Sequence, residues 1–279
     1  MNLLQRTQQA LLLLVTLTMT VVTSPIATRR DQVVRLVTQI QRADYEGDRV
    51  ALKRLYQELT PFADDKILGD KVRYWRRFAL WRRAINGFNE NIDRSELQQD
   101  LKLAADEFEA ALKQAPSFVD AKIAAIGAMG TWLFFDLKNS ATGEFNDPAR
   151  AQEIIAKVSQ WMKEARAAEP DNPRLMWVLG PNVYAAPPER GGADKAIELY
   201  LKGLQTIRAA KSKPKGPLTP TWGEPELLMS VAWTQLNRSK PDMAAAEQYA
   251  KEALALVPHW HYVKNILLPQ IAAAKTRQT

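Results

Sequence analysis

The chain has 279 residues, 46% of them hydrophobic, enough to bury one large core or two ordinary ones. It has no cysteine, which excludes disulfides, thiolate metal sites, cysteine nucleophiles and a lipid-modified N-terminal cysteine. The net charge is +7, from 38 basic and 31 acidic residues spread along the chain, with no long basic tract or nucleic-acid-binding motif, so no nucleic-acid partner is expected.

In chain order, the first feature is the apolar run ALLLLVTLTMTVVT at 10–23, preceded by the single charge of Arg6 and followed by Ser24, Pro25 and Ala27. A positive start, a short apolar centre and small residues describe a secretory signal over 1–27, with an uncleaved N-terminal anchor as the alternative and the only expected membrane contact. The run is shorter than the roughly 20 apolar residues of a membrane span. The expected location is therefore periplasmic or secreted. Residues 28–279 are expected to form a single domain.

After residue 28 the apolar spacing is helical and no period-2 run stands between turns. QVVRLVTQIQRA puts Val33, Leu36, Val37 and Ile40 on one face, and ALKRLYQEL does the same with Leu52, Leu55 and Leu59. KVRYWRRFALWRRAI places Tyr74, Phe78, Trp81 and Ile85 on one stripe. Its expected reading is an amphipathic helix with the aromatics inside and Arg73, Arg76, Arg77 and Arg83 in water. The spacing predicts an all-α fold of five antiparallel helix pairs, at 30–44 with 47–60, 64–90 with 95–114, 118–136 with 149–168, 173–186 with 193–209, and 225–238 with 241–256. A closing helix follows over 259–275, kinked at Pro269. Three longer loops are expected at 137–148, 187–192 and 211–225.

One phrase recurs. Ala104, Phe108, Ala111 and Pro116 repeat as Ala246, Ala250, Ala253 and Pro258, and in part as Ala196, Tyr200 and Gly203, and as Ala165 and Pro170. Small residues at the first and third positions let a second helix approach closely, the residue between them fills the gap, and proline ends the helix. Trp177, Leu179, Gly180 and Tyr184 form a looser Trp-Leu-Gly-Tyr phrase in a preceding helix.

On these residues the chain resembles the tetratricopeptide-repeat family, most clearly over 95–279, and in particular its exported bacterial type with a Pro-Pro-x-x-Gly-Gly loop. PPERGGADKAIELY is also loosely similar to the T-component of periplasmic TRAP transporters. The resemblance implies an α-solenoid of about five helix pairs with a C-terminal capping helix. It further implies a non-enzymatic scaffold for a protein or peptide partner, or alternatively an accessory that binds a small solute for a periplasmic uptake system.

PPERGG, with Arg190, reads chiefly as a turn. It carries neither of the glycine patterns that cradle nucleotides, and no strand precedes it. His259 and His261 stand two apart, on different faces of a helix, so no metal site is expected. The carboxylate pairs Asp64–Asp65, Asp106–Glu107 and Glu224 with Glu226 lie in no acid–base motif, and GxSxG is absent, so no enzyme activity and no cofactor are expected. The candidate ligand or partner contacts are Trp177, Asn182, Tyr184, Arg190, Trp222 and Trp233. A peptide scaffold predicts an open polar groove; a solute binder predicts an enclosed cavity walled by some of these aromatics.

Overall fold

The computed structural model describes residues 25–139, 141–187, 189–210 and 216–278. The expected signal segment lies outside them up to residue 24, and helix α1 (Pro25–Glu46) already includes residues 25–27. The fold is all-α: 77% of it is helical. The helices are α2 (Arg49–Glu58), α3 (Gly69–Asn89), α4 (Arg94–Gln114), α5 (Val119–Asp136), α6 (Pro148–Ala168), α7 (Pro173–Ala185), α8 (Ala193–Ala209), α9 (Glu224–Asn237), α10 (Met243–Leu256) and α11 (Leu268–Gln278). Side chains set several starts. Asp48 accepts from Ala51 N, Asp93 from Ser95 N, Asp147 from Arg150 N and Asp242 from Ala245 N, each satisfying a backbone donor that the helix leaves orphaned.

Consecutive helices pack in pairs, and α1, α3, α5, α7 and α9 also pack one on the next. The C-terminal ends of α3 and α5 meet at Phe88 and Phe134, and those of α7 and α9 meet at Tyr184 and Trp233, so these first helices run parallel. Ala104, Phe108, Ala111, Ala165, Ala196, Tyr200, Gly203, Ala246 and Ala253 are all buried, while Pro116, Pro170 and Pro258 stand exposed just past α4, α6 and α10. Gly180 shows why small residues are needed at a crossing. A Cβ there would lie 2.0 Å from the Tyr200 ring of α8. One apolar core runs from α1 through α7 and a second from α8 to the C-terminus; Trp177 packs against both.

Three expectations need correction. First, α3 is no half-exposed helix. Helices α1, α2, α4 and α5 surround it, so Arg76 and Arg77 are buried and Arg73 and Arg83 half-buried. These arginines reach carboxylates and carbonyls instead of water: Arg76 pairs with Glu107 at 2.6 Å, Arg77 donates to the Glu107 carbonyl, and Arg83 pairs with Asp100 and Glu96. Second, the loop at 137–148 contains a small antiparallel hairpin, β1 (Leu137–Asn139) with β2 (Glu144–Phe145). It is too short to show as an alternating pattern. Third, the closing helix begins at His261 rather than at residue 259, and it contains a π turn at Val263–Leu267 that leads into α11. Pro269 has no N–H to donate back into the preceding turn, and the chain widens there by one residue.

Candidate functional site

The loop that leads into α9 reaches back among the first helices, against α3 and α7. Residues 216–223 turn inward, with Leu218, Pro220 and Trp222 buried. Trp222 stands against Phe78, Trp81 and Trp177, with ring centroids 5.9, 6.0 and 5.4 Å away. Each indole N–H of this cluster has an acceptor: Trp222 Nε1 donates to Tyr74 Oη at 2.7 Å, Trp75 Nε1 to Leu218 O at 3.0 Å, Trp177 Nε1 to Ser230 Oγ at 3.0 Å, and Trp81 Nε1 to Thr131 Oγ1 at 3.2 Å. Arg174 holds the loop backbone, donating to Pro220 O and Trp222 O while paired with Asp120 at 2.7 Å. Buried polar atoms with satisfied partners fix one arrangement, because any shift would leave them unpaired in a medium without water.

Beside the tryptophans lies a buried charged centre that ties the first helix to the ninth. Arg82 Nε donates to both Asp44 oxygens at 2.7 and 2.8 Å, and Asn86 Nδ2 donates to Asp44 O at 2.9 Å. Tyr45 Oη donates to Glu226 Oε1 at 2.8 Å, and Glu226 Oε2 accepts from Gly223 N at 2.7 Å, closing the first turn of α9. Asp44 is 1% exposed, Glu226 1% and Arg82 3%, so none of these charges is shared with water. Burial pushes the Asp44 and Glu226 carboxyls above their ordinary range, against the pull of Arg82. Burial also raises the Tyr45 hydroxyl well above its usual value, and the Glu226 charge adds to it. The Arg82 guanidinium loses by burial but gains more from Asp44 and Glu226, and is raised.

Five positions earlier on α3, Arg77 is wholly buried, stacked 4.2 Å over Phe108, with Nε and Nη2 lacking hydrogen-bond partners. Burial lowers it to about 9.

A cavity of about 50 Å³ adjoins the charged centre, lined by Gln41, Asp44, Tyr45, Phe78, Thr221 and Trp222. That is far below the roughly 300 Å³ of a pocket for a drug-sized molecule. Gln41 Nε2 donates to Thr221 Oγ1 at 3.1 Å across it.

Of the six residues singled out from sequence, Trp177 and Trp222 meet at the centre. Tyr184 and Trp233 pair 5.1 Å apart at the ends of α7 and α9, where Tyr184 Oη donates to Asn237 O. Asn182 and Arg190 are exposed and belong to neither group. His261 lies 3.9 Å from Glu90, and His259 stands edge-on to Tyr45 at 6.3 Å. Among the described residues no group of three or more His, Cys, Asp or Glu could hold a metal, and no helix is long and apolar enough to cross a membrane.

The centre's charged residues, Asp44, Arg82 and Glu226, and their partners Tyr45 and Asn86 carry no motif. The available signal was Glu226, which stands three residues after Gly223 in a first helical turn beside a loop tryptophan. Nothing local in the sequence marks Asp44 or Arg82 as its neighbours, since 181 residues separate Tyr45 from Glu226. In comparison with known proteins, no protein-family model matches the chain and no curated protein matches it.

Proposed function

We propose that this chain is a non-enzymatic, exported, tetratricopeptide-like scaffold that engages a folded protein partner along one edge. The family reading is supported by the buried small residues at the recurring helix positions and by the packing of first helix on first helix. Export is supported by the apolar run at 10–23.

The observation that carries the choice of edge is an exposed aromatic pair at the ends of two first helices. Leu218 and Trp222 are buried against α3, and Trp222 against α7, so those faces are taken by the chain itself. The C-terminal ends of α3 and α5 instead present Phe88 and Phe134, 41% and 49% exposed and edge-to-face at 5.6 Å, with Arg94 5.9 Å from the Phe134 ring. An aromatic pair beside a guanidinium suits a partner offering an apolar side chain and a carboxylate.

A photo-crosslinking amino acid placed at 134, and as a control at the similarly exposed Leu256 of α10, tests the reading in producing cells. A discrete adduct is expected from 134 and not from 256, and Phe88→Asp should abolish it. No adduct from 134, or the same adducts from both positions, would overturn the edge.

A further inference from the structure

We propose that the buried edge of the Arg77 guanidinium binds one small monovalent anion of chloride size. The inference goes beyond the scaffold reading and does not depend on it. It starts from the way three arginines of α3 share two carboxylates. Arg76 Nη1 takes Glu107 Oε1 at 2.6 Å, and its other nitrogens donate to Tyr56 O and Thr60 Oγ1. Arg73 Nη2 takes Asp64 Oδ1, and its Nη1 lies 3.6 Å from Glu107 Oε2. Arg77 is left with a carbonyl alone: Nη1 donates to Glu107 O, while Nε and Nη2 have no hydrogen-bond partner among the described residues.

Those two nitrogens form one edge of the guanidinium, the fork that holds an anion through two parallel N–H donors. The edge lies inside the protein, since Arg77 is 0% exposed and stacks 4.2 Å over the Phe108 ring. Arg73 Nε, one turn earlier on the same helix face, is buried and unpartnered as well. Three guanidiniums against Glu107 and Asp64 leave one positive charge in surplus, and a charge without a counter-ion is costly away from water. Arg77 does not shed that charge: even lowered by burial to about 9, it keeps its proton at pH 7. Glu107 Oε2 lacks a hydrogen bond too, but Arg73 stands beside it, so it calls for no further cation. A water would satisfy the donors and leave the charge standing. One monovalent anion does both, and a divalent anion overshoots. Arg73 and Glu107 are half-buried, so the cluster is reached from the surface beside them.

The rival is a water at the same edge, and the experiment separates the two. Thermal melts of the full chain at neutral pH and fixed ionic strength compare sodium chloride, sodium bromide and sodium gluconate, whose anion is too large to enter. Chloride and bromide should raise Tm above gluconate by about 3–5 °C in a saturable way, the shift that roughly a tenfold excess over the dissociation constant gives a domain of this size. Arg77→Met keeps an unbranched side chain over Phe108, removes the fork and should abolish the difference. Should Arg77→Met fail to fold, an anomalous-scattering map of wild-type crystals grown in sodium bromide decides in its place, with a peak expected at the Nε–Nη2 edge of Arg77. Equal Tm in all three salts for the wild type assigns the edge to water and overturns the proposal. So does a halide shift that survives in Arg77→Met, or a bromide map without that peak.

Discussion

Two loops rich in proline and glycine look alike in the sequence and do opposite things. PPERGG at 187–192 joins α7 to α8, and GPLTPTWG at 216–223 leads into α9. Both end on a glycine with positive φ, Gly192 at 99° and Gly223 at 134°, followed at once by a helix. The first loop is satisfied locally: Gly191 N donates to Pro187 O and Gly192 N to Val183 O. The second is satisfied at long range, with Trp222 bonded to Tyr74, 148 residues away, and Leu218 O accepting from Trp75. The difference follows from the side chains between the turn formers. PPERGG offers Glu189 and Arg190, both exposed; the other loop offers Leu218 and Trp222, which lose far more by staying in water. Proline and glycine say where the chain turns, and the residues among them decide whether the turn stays outside or becomes part of the core.

The largest test of this contrast is Trp222→Ala. Removing a buried tryptophan at the meeting point of α3, α7 and α9 should cost about 3–5 kcal/mol, read as a lower urea midpoint. A loss under 1 kcal/mol would mean that the loop merely rests against the helices. Next comes the acid in the first turn after each loop. Glu226→Ala strands the Tyr45 hydroxyl and Gly223 N–H in the core and should cost about 2–3 kcal/mol. Asp194, the counterpart after PPERGG, has a side chain 74% exposed and pairs with Arg238 at 2.6 Å. Its removal should cost well under half as much.

Glu226 also gives the contrast a pH signature. Its folded pKa is raised by burial, so its contribution to stability is full below the ordinary glutamate value and is lost as pH rises through the folded value. Glu226→Gln cannot ionise, so its urea midpoint should fall less than that of the wild type on going from acid to neutral pH. Parallel curves for the two proteins would show that the Glu226 carboxyl is not raised.

Much of the fold was legible because helix ends are written locally. Asp48, Asp93, Asp147 and Asp242 cap helices within a few residues of where the apolar period begins, and Pro116, Pro170 and Pro258 follow where it stops. The centre was not legible, because arginine on an apolar-striped helix reads as solvent-facing until the carboxylates of other helices are placed beside it. Arg76 finds Glu107 on α4 and Arg82 finds Asp44 on α1, and periodicity within α3 contains neither fact. Trp177 and Trp222 could be singled out as large aromatics near turns, but the structure unites them as packing at the core, with Tyr184 and Trp233 a separate pair at the rim.

The smallest effects belong to PPERGG, and they test whether it is only a joint. At Gly192 a side chain would have open space, so steric contact is no obstacle; the positive φ is. Gly192→Val should therefore cost about 1–2 kcal/mol through backbone strain alone. Arg190 carries no such duty: its backbone N–H bonds to Pro187 O whatever the side chain, and the side chain is exposed. Arg190→Ala should leave stability within about 0.5 kcal/mol of the wild type. Melts of the wild type and both variants, with and without added phosphate, make the distinction. A joint predicts a lower midpoint for Gly192→Val, none for Arg190→Ala, and no effect of phosphate on any of them. A phosphate-dependent rise in the wild type that vanishes in Arg190→Ala would make the loop an anion site at the start of α8, and its likeness to the central loop would then be more than shared turn chemistry.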